Sequence, residues 1–210
     1  MNSTVLCLVR HGETVWNADG RIQGQLDTEL SDNGRAQALA VADVLGDLRF
    51  DAVYASDLVR VRDTAAPTCA RLNVQPVLDS SLRERHYGIF QTSTYPEAKV
   101  RWPEEYARFA ARDPEFGFVT GEKLIDFYRR AVDCVAGIAR RHVGRNILVF
   151  THGGVLEMVY RRAHDLPLTS PRDFQLPNAS LNWLETQGDR WAVRAWADVS
   201  HLESTLDDTN

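Results

Sequence analysis

The 210-residue sequence predicts an α/β fold of three layers, in which a mainly parallel sheet is covered by helices on both faces. Short β-branched runs alternate with segments of helical period, which is typical of parallel strands joined by helices. Two of the apolar runs end in the same pair of residues, at His11-Gly12 and at His152-Gly153. A chain of this length can bury a sizeable core without disulfides, so we expect residues 1–210 to form a single domain.

Strand and helix alternate in the first half of the chain. Ser31 precedes the first long segment of helical period, and its hydroxyl is a favourable N-cap. Pro67 falls inside the second such segment, where it would kink or divide a helix. The elements expected in order are a strand over 4–9, a helix capped within Ser31-Asp32-Asn33, a strand over 52–55, a helix from about Leu58 to Leu72, and a weaker strand over 74–78.

The segment from residue 80 to about residue 120 is polar and loses this periodicity, so we interpret it as an excursion over the core with one helix around 97–111. After residue 120 the regular spacing of apolar residues returns. Trp191, Val193 and Trp196 in the last strand could mark a dimer surface, but core packing is the favoured interpretation. The later elements expected are a helix from Leu124 to about His142, a strand over 146–150, a helix over 155–162, strands over 180–184 and 191–196, and an acidic frayed tail over 203–210.

Composition limits the classes of partner. Hydrophobic residues make up 44% and charged residues 25% of the chain, which is ordinary for a globular protein. The net charge of −5 gives no general attraction to nucleic acid or to an anionic membrane. Cys7, Cys69 and Cys134 lie far apart in apolar segments and are interpreted as core residues in a reducing compartment. With no basic leader and no long apolar run at the N-terminus, we expect a cytoplasmic protein.

The two His-Gly junctions predict an anion site. The carboxyl ends of strands in an open α/β sheet face a common crevice, so His11 and His152 can converge although 140 residues separate them. The glycines allow tight turns, and helices that begin beyond them direct their positive ends at the same place. One such histidine alone is more often a structural polar residue. Two matched junctions, with Arg10 beside one of them, favour a functional site.

A metal centre is the alternative for the same residues. His11, His152, Glu13 and Glu84 could be assembled as ligands. The sequence has no His-Glu-x-x-His segment and no paired cysteines. Arg10, with Arg21 and Arg60 expected nearby, would repel a divalent cation, whereas arginine forks suit phosphate. We therefore expect a phosphate site that needs neither a metal nor an organic cofactor.

Four blocks, in order, resemble the histidine phosphatase superfamily, which includes the cofactor-dependent phosphoglycerate mutases. The resemblance covers nearly the whole chain and implies a phosphoglycerate mutase-like fold, with residues 80–120 as a cover over the substrate. The matching blocks are Arg10-His11-Gly12-Glu13-Thr14 with Trp16-Asn17, Arg21-Ile22-Gln23-Gly24, Leu30-Ser31 and Gly34; Ser56-Asp57-Leu58-Val59-Arg60 with Thr64; Leu82-Arg83-Glu84-Arg85-His86-Tyr87-Gly88; and Thr151-His152-Gly153-Gly154, followed by Pro177-Asn178-Ala179-Ser180-Leu181.

The resemblance implies a role for each pocket residue. His11 would be the nucleophile that forms a phosphohistidine. Arg10, Arg60 and His152 would hold the equatorial oxygens of the phosphoryl group. Glu84 would protonate the leaving oxygen and then accept a proton from water. The remaining residues that it implies for phosphate or substrate binding are Asn17, Gln23, Gly24, Gly153, Arg83, His86 and Tyr87.

Three positions depart from the family pattern. Thr92 lies where members commonly carry a glycine after the third block, so the turn there is expected to differ. Lys123 replaces the serine of a Gly-Glu-Ser segment, which removes a helix cap and places a lysine where it could face the substrate. Val61 replaces the alanine that commonly follows the pocket arginine.

A phosphatase is favoured over a mutase. Mutases of the family have a longer excursion and the spelling Thr-His-Gly-Asn, whereas this chain has Thr151-His152-Gly153-Gly154. The Glu-Arg-His-Tyr-Gly spelling of the third block is that of the mutases, so a cofactor-dependent phosphoglycerate mutase stays an alternative. A non-catalytic phosphate-sensing module is a second alternative, which the intact pocket set argues against.

The substrate is expected to be a small phosphorylated metabolite, and a homodimer is possible. The excursion is rich in cations that could meet a second acidic group, although most of them fit a solvated helix face interspersed with glutamates. These cations are Arg83, Arg85, Lys99, Arg101, Arg108 and Arg112.

Overall fold

The computed structural model describes residues 2–203, which form a six-stranded sheet with helices on both faces. The order across the sheet is third, second, fourth, first, fifth and sixth strand. The first four strands are parallel and the last two antiparallel, which confirms the predicted fold class. The strands are β1 (Thr4–Arg10), β2 (Ala52–Ala55), β3 (Val77–Leu78), β4 (Asn146–Thr151), β5 (Leu181–Gln187) and β6 (Arg190–Asp198).

The helices differ from the sequence-based expectation mainly in the excursion. The single helix expected around 97–111 is two, because Trp102 leaves the helical region (φ −136°, ψ 65°) directly before Pro103. Pro67 lies inside one helix without dividing it. The helices are α1 (Val15–Ala18), α2 (Asp32–Leu45), α3 (Val59–Leu72), α4 (Tyr95–Arg101), α5 (Pro103–Ala110), α6 (Leu124–Arg141), α7 (Gly153–Ala163) and α8 (Ser200–Glu203), with 3-10 turns at Ser80–Leu82 and Gly88–Phe90.

Alternation along the central strands separates two cores. Leu6 and Leu8 of β1 belong to the core on the side of α6 and α7, whereas Cys7 and Val9 belong to the core on the side of α2 and α3. This follows from the two-residue period of a strand, which directs successive side chains to opposite faces. The arrangement buries β1 and β4 on both faces and fixes their carboxyl ends, where the two His-Gly junctions lie.

The excursion has an apolar cluster of its own. Ile22, Phe90, Ala98, Phe116 and Phe118 are buried together. Phe90 stacks on Trp102, which joins α4 to α5, and Phe118 meets both Phe90 and Phe116 edge to face. The excursion is therefore ordered by apolar packing, and its role as a cover over the substrate stays a prediction.

Residues of the last strand contribute to the core. Trp191 is 8% exposed and belongs to the core on the α7 side, and Val193 and Trp196 pack against that core. Core packing, the favoured interpretation, accounts for them, and the homodimer stays a prediction.

The two-residue β3 is shorter than the strand expected over 74–78. The expected acidic tail lies, from residue 204 onward, outside the described residues.

The three departures from the family pattern have distinct structural outcomes. Thr92 adopts φ 75°, so the turn keeps a left-handed conformation that favours glycine. Lys123 is the N-cap of α6 without a side-chain cap, and its Nζ pairs with Glu115 Oε2 at 3.1 Å, away from the cavities described below. Val61 is fully buried in the core on the α3 side.

Candidate active site

The carboxyl ends of β1 and β4 bring the two histidines together. Arg10 is paired with Thr151 in the parallel register, and His11 N donates to Thr151 O at 2.9 Å. The imidazole rings of His11 and His152 meet edge to face, with centroids 5.3 Å apart. The convergence expected from the matched junctions is therefore a consequence of neighbouring parallel strands.

The geometry of His11 leaves one ring nitrogen unprotonated. Its Nδ1 lies 2.7 Å from the carbonyl oxygen of Gly12, which can only accept, so Nδ1 carries the hydrogen. Within residues 2–203 no hydrogen bond involves Nε2. Burial, with the nearby charges of Arg60 and Arg10, holds the His11 pKa well below 6.5. The ring is therefore neutral at pH 7, with a lone pair on Nε2.

The turn after His11 is held by close backbone approach. Gly12 N donates to Thr64 Oγ1 of α3 at 2.9 Å. A Cβ on Gly12 would lie 2.6 Å from Gly34 O, and a Cβ on Gly34 would lie 1.9 Å from Glu13 O. Both glycines are required for the start of α2 to touch this turn. Glu13 accepts from the hydroxyl of Ser31, which gives it a structural role in the turn.

His152 and Arg60 form a buried pair. Arg60 Nη2 donates to His152 Nδ1 at 3.1 Å, so the hydrogen of this ring is on Nε2. That Nε2–H donates to Ser56 Oγ at 2.8 Å. Burial, with the charge of Arg60, holds the His152 pKa well below 6.5. Both ring nitrogens thus have protein partners, and the imidazole fixes the orientation of the guanidinium.

Arg60 and Arg10 are tied to backbone oxygens yet keep unused donors. Arg60 donates to Gly24 O at 2.7 Å and to Leu26 O at 2.9 Å, while Arg10 Nη1 donates to Leu176 O. Gly153 allows Arg10 to pass closely, since a Cβ there would be 3.2 Å from Nε. Burial lowers the pKa of Arg60 to about 10, which still leaves it charged at neutral pH.

Three buried polar atoms near His11 lack a hydrogen-bond partner in the described part of the chain: Nε of Arg10, Nε of Arg60 and Oε1 of Gln23. An unpaired buried donor costs about 1–3 kcal/mol, a cost that an anionic acceptor would offset. These residues line a cavity of 120 Å³, which is suited to a phosphoryl group. The lining residues are Arg10, His11, Asn17, Arg21, Ile22, Gln23, Gly24, Arg60, Glu84, Tyr87 and Tyr95.

Glu84 lies at the edge of this cavity on two backbone donors. Arg85 N donates to its Oε1 at 2.7 Å and Gly154 N to its Oε2 at 2.8 Å. A Cβ on Gly154 would lie only 1.9 Å from Oε1. The second glycine of Thr151-His152-Gly153-Gly154 is therefore what permits the carboxylate to sit against the start of α7.

A second cavity of 350 Å³ adjoins the first, and Tyr87 and Tyr95 line both. Its charged wall includes Arg85, Arg112, Arg172 and Glu157. Arg112 and the buried Arg161 both donate to Glu157 Oε1. Arg172 Nη1, by contrast, is 3.9 Å from Glu157 Oε2, beyond hydrogen-bond distance. The second cavity therefore carries more positive than negative charge.

The structure brings most, but not all, of the expected site residues to the cavities. Arg83 is engaged by Asp57 in a two-point ion pair, with N···O distances of 2.7 and 2.6 Å. His86 is bonded to the excursion, where its Nδ1 accepts from Gly88 N and its N donates to Glu122. Neither residue lines the two cavities described above, and neither do His152 and Gly153, which adjoin Arg60 and Arg10 instead. Tyr87 lines both of them.

Several supporting residues were not assigned to the site from the sequence. Asn178 Nδ2 donates to His11 O at 3.0 Å and to Asn17 Oδ1 at 3.3 Å, which leaves Asn17 Nδ2 as the group available to a ligand. Ser56, Thr64 and Asn178 all belong to blocks that resemble the family, and this was the only signal that could have identified them.

Among residues 2–203, no group of three or more histidine, cysteine or acidic side chains gathers as a metal-binding cluster. No helix within that range is both long enough and apolar enough to cross a bilayer.

Fold and site together define an α/β protein in which a buried, neutral histidine, His11, lies beside an arginine-lined cavity of 120 Å³. Residues 6–199 match the model of the histidine phosphatase superfamily (branch 1). The chain belongs to this superfamily, and the predictions of the family and of a phosphatase are confirmed.

Named relatives cover nearly the whole chain. This chain is 40% identical to a metal-independent phosphoserine phosphatase of Arabidopsis thaliana, and the match covers 96% of this chain and 84% of that protein. It is likewise 40% identical to the phosphoglycerate mutase-like protein 4 of the same plant, over 95% and 87%. A solved mycobacterial glucosyl-3-phosphoglycerate phosphatase superposes with a TM-score of 0.82 at 33% identity, over 93% of this chain and 99% of that one.

Proposed function

We propose that the protein hydrolyses a small phosphomonoester by way of a phosphohistidine on His11. The observation that carries this proposal is the His11 ring, whose Nδ1 is occupied by Gly12 O while Nε2 keeps its lone pair beside Arg10 and Arg60. A neutral imidazole among cations is an attacking group, because it needs no deprotonation and its surroundings attract the phosphoryl oxygens.

In the first step Nε2 of His11 forms a bond to phosphorus as the bond from phosphorus to the leaving oxygen breaks. Arg10 and Arg60 stabilise the charge on the transferring oxygens through their unpaired Nε–H groups, with Asn17 and Gln23 adding neutral contacts. Glu84 in its protonated form donates a proton to the leaving oxygen, which departs as an alcohol.

In the second step a water oxygen attacks phosphorus and the bond from phosphorus to Nε2 breaks. Glu84, now a carboxylate, accepts the water proton, so the enzyme returns to its starting state with inorganic phosphate as the product. One group alternates between acid and base, which is supported by Glu84 being the one acidic residue that lines this cavity in the described part of the chain.

His152 is assigned a positioning role rather than the direct phosphate contact implied by the resemblance. Its two nitrogens are occupied by Arg60 and Ser56, so it holds the guanidinium that stabilises the phosphoryl group. This assignment follows the hydrogen bonds of the site and makes Arg60 the residue through which His152 acts.

We further propose that the leaving group occupies the second cavity and carries a carboxylate. Glu84 lies between the two cavities. It lines the first, and its carboxylate accepts a hydrogen bond from Gly154, which lines the second. Arg172 is the cation of that wall whose guanidinium makes no hydrogen bond within residues 2–203, with Glu157 Oε2 3.9 Å from its Nη1. Phosphoserine and glucosyl-3-phosphoglycerate, named in two of the relatives, both contain a carboxylate.

Two assays test these proposals. Hydrolysis of p-nitrophenyl phosphate should persist in the presence of a chelator and be lost in His11→Ala, whereas loss on chelation alone would contradict the histidine route.

Arg172→Gln should raise the KM for O-phosphoserine by about 10-fold or more, because a charge-assisted hydrogen bond contributes about 1.5–3 kcal/mol. Phenyl phosphate, which has no carboxylate, should be unaffected. Arg194→Gln, at the ion pair with Glu185 on β5, is the matched control.

The predicted cytoplasmic location remains a proposal, which is supported by Cys7, Cys69 and Cys134 being free.

A further inference from the structure

Arg130 of α6 divides its donors between the loop that carries Glu84 and the carboxylate of Glu122. Nη1 donates to Ser81 O and to Arg83 O, both at 2.9 Å, and Nη2 donates to Glu84 O at 3.2 Å. The remaining two N–H groups go to Glu122, from Nε to Oε1 and from Nη2 to Oε2, both at 2.7 Å. A guanidinium has five N–H donors, so none is left for substrate or solvent.

Glu122 holds the same loop at a further point. We refer to Arg130 and Glu122, with their hydrogen bonds to this loop, as the clamp. Its Oε2 also accepts from His86 N at 2.9 Å. The loop from Ser81 to His86 is thus fixed at four backbone groups, two on each side of the Glu84 side chain, by one ion pair. The side chains of Arg130 and Glu122 are only 23% and 22% exposed, which limits screening of this pair by solvent.

The position of the loop decides where the Glu84 carboxylate lies. Glu84 contacts α7 through Gly154 N, while its backbone is carried by a segment of 3-10 turn and coil between Ser80 and Gly88. Such a segment has no regular backbone ladder of its own to resist displacement. Arg130 adds rigidity by donating to three carbonyl oxygens that no helix or sheet satisfies. It shares Glu84 O with Gln25 Nε2, which donates at 3.1 Å, and Thr151 Oγ1 holds Leu82 O at 3.0 Å.

We propose that Arg130, braced by Glu122, is a positioning residue for the proton transfers of Glu84. This inference rests on the proposed acid and base role of Glu84, and it assigns Arg130 no contact with the substrate. Lysine cannot replace it, because an ammonium has three donors and cannot form the two-point contact with Glu122 while holding three carbonyl oxygens.

The dependence on the leaving group separates this role from a purely structural one. The value of kcat/KM reports the steps up to departure of the leaving group. Phenolate needs a proton to depart, whereas 2,4-dinitrophenolate departs without one. Glu84→Gln should therefore reduce kcat/KM for phenyl phosphate by about 10²- to 10⁴-fold and for 2,4-dinitrophenyl phosphate much less.

Arg130→Lys should show the same selectivity at smaller amplitude. We expect a loss of about 10²-fold for phenyl phosphate, as for a catalytic group displaced by about 1 Å, and a loss below about 5-fold for 2,4-dinitrophenyl phosphate. In the double variant Glu84→Gln/Arg130→Lys the two losses should not multiply, because both act on the same proton transfer. Arg145→Gln, which breaks the remote ion pair with Asp51, is the control and should leave both rates unchanged.

Glu122→Gln provides a second, milder variant should Arg130→Lys not fold. It keeps the side-chain shape and weakens the bracing contact, so it should lower the rate selectively for phenyl phosphate. Equal losses for both esters in the clamp variants, or multiplicative losses in the double variant, would overturn the inference while leaving Glu84 as the acid. If the loss of kcat/KM in Glu84→Gln did not depend on the leaving group, the proposed acid and base role of Glu84 would be wrong. The positioning role of Arg130 would then be wrong as well.

Discussion

Gly154→Ala tests the position of the Glu84 carboxylate, the proposed general acid, by adding a single methyl group beside it. The new Cβ would stand 1.9 Å from Glu84 Oε1, whereas carbon contacts are favourable from about 3.5 Å, so the carboxylate must move by about 1.5 Å. A displacement of about 1 Å can reduce a rate about 10²-fold. We expect kcat/KM for phenyl phosphate to fall by at least that factor.

The same substitution should not weaken the fold. Gly154 lies in the first turn of α7, where alanine is the better helix former by about 0.5–1 kcal/mol. The displaced carboxylate also loses its hydrogen bond from Gly154 N, which contributes about 0.5–1.5 kcal/mol, so the two effects offset and the unfolding temperature should change little. Gly137→Ala in α6 is the matched control, because the nearest side-chain atom to its Cβ among residues 2–203 would be Arg141 Nη1 at 3.4 Å, and its activity should equal that of the wild type. Full activity in Gly154→Ala would refute the reasoning about Glu84.

Three further outcomes follow from the site and its surroundings. The free energy of unfolding should fall from pH 7 to pH 5.5, by roughly 1 kcal/mol for each of His11 and His152, because burial lowers both pKa values in the folded protein and the unfolded chain takes up protons first. Chemical denaturation should show a smaller loss in His11→Asn, and no change between the two pH values would contradict the lowered pKa values. Asn178→Ala should reduce kcat about 10-fold and stability by about 1 kcal/mol, because it removes one of the two donors to His11 O and one of the donors to Asn17 Oδ1, and kinetics at wild-type level would exclude that role. Thr92→Gly should raise the unfolding temperature, because a branched residue at φ 75° stores about 1 kcal/mol, and a lower temperature would show that the side chain contributes more than the strain removes.

The position of the two histidines could be predicted because strand order and strand direction determine it. Apolar runs that end in His-Gly identify the carboxyl ends of buried strands, and parallel strands present those ends together. The same logic gave the two-sided core, since β1 and β4 are apolar at consecutive positions. The identity of the nucleophile, by contrast, came from the resemblance of the sequence blocks to a known family.

The details that the sequence could not supply depend on which partner a polar group selects. Arg83 and Arg85 are neighbours with the same chemistry, yet Arg83 pairs with Asp57 and Arg85 lines the second cavity. The tautomer of His11 depends on the distance from its Nδ1 to the next carbonyl oxygen. The clamp by Arg130 joins residues up to 49 positions apart. None of these choices produces a periodic pattern in the sequence.

Trapping the phosphorylated enzyme is the most direct test of the account. Rapid acid-free quenching during turnover of a ³²P-labelled phosphomonoester should give a protein-bound label that survives alkali, is released by acid, and maps to Nε2 of His11. The label should be absent in His11→Ala. A wild-type enzyme that turns over at full rate without ever carrying such a label, or that carries an alkali-labile label on a carboxylate, would contradict the phosphohistidine route.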